Sequence, residues 1–163
     1  MSALWLTMTM ATPPTTHAAS LEERAAAEVD GLHEFFEGWF NGVLEPTEEN
    51  FARAANVLAP EFILIGPGGQ QTPQATVLER IRAAHGSWSR TTDEGTKPGG
   101  KIWIENFGVR FVEGRQLLAT YEEWQEIDGK VRARISSVLF RIEDDAPNGV
   151  RWIHLQETWT QTP

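Results

Sequence analysis

Asp128-Gly129 lies between two long runs rich in β-branched and aromatic residues, and no other feature limits the possible folds of this chain as strongly. A two-residue type I′ turn needs positive φ at both positions, which Asp-Gly tolerates, so the dipeptide predicts a hairpin and fixes its pairing. Counting outward pairs Ile127 with Lys130, Gln125 with Arg132, Glu123 with Arg134, Tyr121 with Ser136 and Ala119 with Val138. The opposite face pairs Glu126 with Val131, Trp124 with Ala133, Glu122 with Ile135, Thr120 with Ser137 and Leu118 with Leu139, because successive side chains alternate across a strand.

The first face carries complementary charges near the turn, Glu123 with Arg134 above all, which suits a solvated convex surface. The second is therefore expected to point inward. It sets Glu122 between Trp124, Ile135 and Ala133, with the hydroxyls of Thr120 and Ser137 nearby. A carboxylate desolvated there has its pKa raised unless a cation pairs with it, which makes Glu122 a candidate site residue. An ion pair with a helix arginine, Arg53 or Arg82, explains the same residue equally well.

Upstream, the pattern is helical. Ser20 and Glu23 form a capping box, and Leu21, Ala25, Val29, Leu32, Phe36, Trp39 and Val43 recur at steps of three and four, predicting a helix to about Leu44. Thr47 caps a second helix with Phe51, Ala54, Ala55 and Leu58 on its inner side, closed by Pro60. A strand-like run, Glu61 to Gly66, turns back at Pro67, Gly68 and Gly69, and Thr72-Pro73 starts a third helix ending near Gly86. Ser89 to Gly100 reads as a mobile loop able to act as a lid. Four strands follow, Lys101–Glu113, Arg115–Ile127, Lys130–Glu143 and Val150–Thr160, predicting an α+β domain with three helices before an antiparallel meander. Residues 1–19 read as a flexible segment without the basic start of a secretory signal, and 20–163 as one domain.

On the last strand, Val150, Trp152, His154, Gln156 and Thr158 alternate with Arg151, Ile153, Leu155, Glu157 and Trp159, and periodicity alone does not choose between the two sets. The run Val150 to Thr158, with the order of three helices followed by a curved sheet, resembles the SnoaL-like, nuclear transport factor 2-like superfamily with its cystatin-like fold. The likeness extends to small ketosteroid-isomerase-like members. It implies a cone-shaped α+β barrel in which Trp152, His154, Gln156 and Thr158 face a cavity beside Glu122, Trp124, Thr120, Ser137 and Ile135. The chain departs from that pattern at Gln156, where such members often have histidine, and at Val150, where they often have tryptophan. The steroid-isomerase pairing of a tyrosine with pocket aspartates is not expected, since Tyr121 falls on the outward face and no aspartate lies on an inward one. Trp39 and Trp88 either line the cavity mouth or pack in the core.

A formal charge of −9 argues against nucleic acid and acidic membrane surfaces, which need clustered Lys and Arg. With no cysteine, thiolate chemistry and disulfides are excluded. His17, His33, His85 and His154 lack metal-ligand spacing, so neither metal nor cofactor is expected. Gly66-Pro-Gly-Gly69 lacks the lysine and helix of a phosphate loop and reads as a plain turn. A cytoplasmic location is expected. Three functional readings stay open: a small-molecule-binding domain, a proton-transfer enzyme (isomerase, cyclase or hydrolase) using Glu122 and His154, and an assembly module. A homodimer is expected through an outer sheet face of Ile153, Leu155, Trp159, Val138 and Phe140.

Overall fold

The computed structural model describes residues 18–160 of the 163-residue chain. Most of the flexible N-terminal segment expected from the sequence, residues 1–17, therefore lies outside the described residues. Helix α1 spans Leu21–Phe40, α2 Glu48–Ala55 and α3 Gln74–Ala83. The strands are β1 Leu58–Ile65, β2 Gln71–Pro73, β3 Arg90–Thr92, β4 Gly95–Lys97, β5 Gly100–Glu113, β6 Gln116–Ile127, β7 Lys130–Ile142 and β8 Val150–Trp159. No helix among the described residues is long and apolar enough to cross a membrane.

Helix α1 starts on the predicted box, Ser20 accepting from the Glu23 amide while Glu23 accepts from the Ser20 amide. It stops at Phe40 rather than Leu44. Gly42 takes φ 67°, and the amides of Gly42 and Val43 turn back onto the carbonyls of Trp39 and Gly38. Val43, expected in the buried stripe, is exposed instead. Asn41 ties this helix end to the sheet, its Oδ1 accepting from the amides of Gly99 and Gly100 at 2.9 and 3.0 Å.

One curved sheet runs in the order β2-β1-β8-β7-β6-β5. The long hairpin has the counted register throughout, from Ile127↔Lys130 to Leu118↔Leu139, with Asp128 and Gly129 at φ 55° and 72°. Two features depart from a simple meander. Strand β1 joins β8 in parallel, a long-range pairing that no local turn signals, and the 89–100 segment contains a short exposed hairpin, β3–β4, rather than an open loop.

The sheet wraps α1. Ala25, Val29, Leu32, Phe35 and Trp39 pack with Leu117, Ala119, Tyr121, Val138, Phe140 and Trp152 to form the core. Val138 and Phe140, expected on an outer dimer face, are fully buried. At the base, Glu28 of α1 receives both amino groups of Arg53 from α2, Asn148 from the turn before β8, and the Trp152 indole N–H.

Candidate functional site

The register was right, but the expected assignment of its faces is reversed. Glu123 is 2% exposed and Tyr121 1% exposed, both on the concave side facing α1. The physical reason is the distal half of that face: Leu117, Ala119, Val138 and Phe140 are apolar and demand burial, and a rigid pleat carries Glu123 and Arg134 inward with them. The charges near the turn were read as a solvated surface because the hairpin alone does not show what covers it.

Inside the cone lies a cavity of about 220 Å³. Helix α1 contributes Leu32, His33, Phe36 and Phe40; β1 contributes Leu58, Phe62 and Leu64; α3 contributes Val77, Arg80 and Ile81. Ile102, Glu123, Gln125, Arg134, Trp152, Leu155 and Glu157 complete the wall from the sheet. Its body is mostly apolar, and Glu123, Gln125, Arg134 and Glu157 gather where β6, β7 and β8 run side by side, with His33 of α1 against Glu123 and Arg80 apart on α3. Two rows cross those strands there: Glu123↔Arg134↔Trp159 and Tyr121↔Ser136↔Glu157.

Glu123 is saturated with partners. Arg134 donates Nη2 to Oε1 at 2.6 Å and Nε to Oε2 at 3.0 Å, and Gln125 donates to Oε1 at 2.6 Å. His33 Nε2 lies 3.1 Å from Oε2, while its Nδ1 lies 2.7 Å from the Val29 carbonyl, which fixes the ring. Burial alone would raise the Glu123 carboxyl, but His33 and Arg134 outweigh it and hold the group at about 2. For Arg134, burial opposes the charge and is outweighed by Glu123 and Glu157, so the guanidinium is held charged more firmly than usual.

Glu157 is the opposite case. Burial pushes its carboxyl up to about 7; Arg134 pulls it down, the neighbouring Glu123 charge pushes it further up, and His33 lowers it. Its nearest polar contact among the described residues is Arg134 Nε at 3.1 Å, a proton already directed to Glu123. Beside it, the buried hydroxyls of Tyr121 and Ser136 face each other across β6 and β7, yet neither makes a well-formed hydrogen bond. Burial, with the charges of Glu123 and Glu157, raises the Tyr121 phenol well above its ordinary value.

Of the residues expected to line the cavity, Trp152 does so. Thr120, Glu122, Trp124, Ile135 and Ser137 alternate with the inward set and lie on the convex side, where Ile135 is 48% exposed. His154, Gln156 and Thr158 also face outward. A bulge between Leu139 and Phe140 explains the change, for Trp152 sits opposite inward Phe140 whereas His154 sits opposite outward Leu139. Leu155, expected on a dimer face, faces the cavity. Trp39 is core, donating its indole N–H to the Ile81 carbonyl at 2.8 Å, and half-buried Trp88 packs on Phe40.

Glu122 and His154 are not brought together. They lie two strands apart and four residues out of step, about 13 Å along the strand direction alone. Glu122 accepts from the Trp124 indole at 3.2 Å, and neither arginine offered as its partner reaches it, since Arg53 pairs with Glu28 and Arg82 with Glu48. His33, Glu123, Arg134 and Glu157 were missed as site residues. The available signal was the conjunction of an ion pair in the hairpin with a histidine inside the α1 stripe.

The profile of the family described as sucrose-6-phosphate phosphohydrolase C-terminal matches residues 25–161. Sucrose-phosphatase 1 of Nicotiana tabacum is 23% identical over 137 residues, covering 83% of this chain. The chain spans about 31% of the length of that relative. An NTF2-like protein of unknown function from Pseudomonas aeruginosa superposes with TM-score 0.70 at 22% identity, covering 84% of this chain and 98% of its own. An NTF2-like superfamily protein from Salmonella enterica gives TM-score 0.61 at 10% identity, covering 87% and 92%. The fold is thus the NTF2-like cone expected from the sequence.

Proposed function

We propose a small-molecule-binding function from a plain premise: the chain belongs to the sucrose-6-phosphate phosphohydrolase C-terminal family. The observation that carries the proposal is the cavity of about 220 Å³, mostly apolar in its lining, with a cluster of polar side chains from β6, β7 and β8. Concave sites of mostly apolar lining with a few fixed polar groups are the usual form of small-molecule sites. The cavity lies below the roughly 300–1,000 Å³ usual for drug-sized ligands, so a compact ligand suits it.

The related proteins are named as sucrose-phosphatases, and the chemistry of this cavity does not favour their namesake as its occupant. Each sugar hydroxyl set against Leu32, Phe36, Phe40 or Phe62 without a partner would cost about 1–3 kcal/mol. The domain is better read as a binding module for something smaller and less polar. Thermal-shift screening against small aromatic and aliphatic compounds tests this. Stabilisers are expected, worth about 2.7 kcal/mol at a hundredfold excess over Kd. Val77→Phe, which fills the cavity from α3, should abolish their effect while leaving circular dichroism unchanged. A screen without stabilisers would defeat the proposal.

One observation favours a second reading, proton transfer. Glu157 is held at about 7 on the cavity wall, near the operating range of a general acid or base. Under this reading Glu157 replaces the Glu122 and His154 pair expected from the sequence. Turnover of a cavity ligand that survived Glu157→Gln unchanged would count against it.

A further inference from the structure

The polar end of the cavity restricts the kind of group that can sit there, and this inference rests on the binding reading above. Glu123 has no capacity left, with its oxygens taken by Arg134, Gln125 and His33. Arg134 spends Nε and Nη2 on Glu123, and its remaining amino group, Nη1, makes no hydrogen bond among the described residues. The Glu157 carboxyl accepts no hydrogen bond among those residues either, its one polar contact being the Arg134 Nε at 3.1 Å. Both side chains line the cavity. An incoming molecule at this end therefore meets the free N–H groups of Arg134 and a carboxyl without a hydrogen-bond partner, with the unused amide groups of Gln125 beside them.

We infer that the ligand of this cavity is a compact, mainly apolar molecule ending in a neutral group that both donates and accepts hydrogen bonds, such as a primary amide or a hydroxyl. Such a tip accepts from Arg134 Nη1 and donates to Glu157. An anionic tip would lie against Glu157 and Glu123, a cationic one against the Arg134 guanidinium, and in a site walled by Leu32, Phe62, Trp152 and Leu155 little water screens either repulsion. With Glu157 holding its proton the cluster is matched internally, Glu123 against Arg134, so a charged newcomer finds no unpaired opposite charge. The other wall cation, Arg80, is exposed on α3 and donates to Thr72 at 3.3 Å, where water screens it from the inner cluster.

A matched set of probes tests the assignment: toluene, benzyl alcohol, benzamide, benzoate and benzylamine share one apolar body and differ at the tip. Binding of each to the full chain is measured by calorimetry at pH 7. Benzamide and benzyl alcohol are expected to bind about five- to tenfold more tightly than toluene, the worth of one net hydrogen bond, with benzoate and benzylamine weaker than toluene. Glu157→Leu should shrink the advantage of benzamide over toluene to what the Arg134 contact alone supplies. If that variant does not fold, Glu157→Gln serves: it should keep the preference for neutral tips and lose the change in benzamide affinity expected of the natural chain between pH 6 and 8 as Glu157 titrates. Benzoate or benzylamine binding most tightly, benzamide no better than toluene, or an unchanged pH dependence in Glu157→Gln each overturns the inference. Toluene binding with no tip preference would leave the cavity reading standing and sink the inference alone. If no probe binds, toluene included, both fall.

Discussion

Glu123 and Arg134 stand directly opposite on β6 and β7 and close a two-pronged ion pair inside the cone, Nη2 to Oε1 at 2.6 Å and Nε to Oε2 at 3.0 Å. Removing one partner of a buried pair strands the other charge in a poorly solvated place. Arg134→Leu is expected to cost about 3–5 kcal/mol in urea unfolding. The double change Glu123→Leu with Arg134→Leu should cost less than Arg134→Leu alone, because no unpaired charge is left behind.

A second buried carboxylate joins the base of the cone. Glu28 is fully buried and accepts from Arg53 at 3.0 and 3.1 Å, from Asn148 at 2.9 Å and from the Trp152 indole at 3.1 Å. Glu28→Ala leaves the Arg53 charge and the Trp152 N–H without their acceptor, and about 3 kcal/mol or more of stability should be lost in denaturant titration.

Stability should depend on pH in two separate windows. Glu157 has its folded value raised to about 7, so the folded state holds a proton that the unfolded chain releases at lower pH. That contribution is full below the ordinary glutamate range, is lost as pH rises through about 7, and is worth up to about 3 kcal/mol. Glu123 has the opposite sign, contributing above the ordinary range and losing its effect only as pH falls toward 2. Urea titrations at pH 5 and 8 should find the natural chain less stable at pH 8, with the difference reduced in Glu157→Gln.

The hairpin turn is open to a direct test of backbone strain. Gly129 takes φ 72°, and a Cβ placed there would meet no atom within 4 Å. Gly129→Ala therefore probes conformation alone and should cost about 1–2 kcal/mol, read as a lower Tm.

The convex placement of Glu122 and His154 predicts silence. Glu122→Gln and His154→Ala should each change stability by no more than about 0.5 kcal/mol, and should leave the thermal shift given by a cavity ligand unaltered. Loss of that shift in either variant would contradict the assignment of faces.

Local chemistry made much of this fold legible. The Ser20–Glu23 box and the Thr47 cap each start a helix where expected, because a cap is a contract between residues three apart. The missed stop at Asn41-Gly42 was equally local, its positive-φ glycine hidden inside an apolar pattern that ran on to Leu44. The parallel join of β1 to β8 had no such signal, since its partners Ile63 and His154 are far apart in the chain.

By itself the sequence determined the pairing of Glu123 with Arg134 and of Glu122 with Ile135, because Asp128-Gly129 adopts a turn whose geometry counts residues outward from itself. It did not determine which of those pairs is inside. The two faces of the hairpin are similarly mixed near the turn, and a pleat alternates equally well in either sense. Only tertiary structure decided, by laying α1 and His33 against one face and so burying Glu123, Arg134 and Glu157 together. A bulge in the β7–β8 pairing then turned His154 out while leaving Trp152 in, an offset that the alternation of a single strand does not contain.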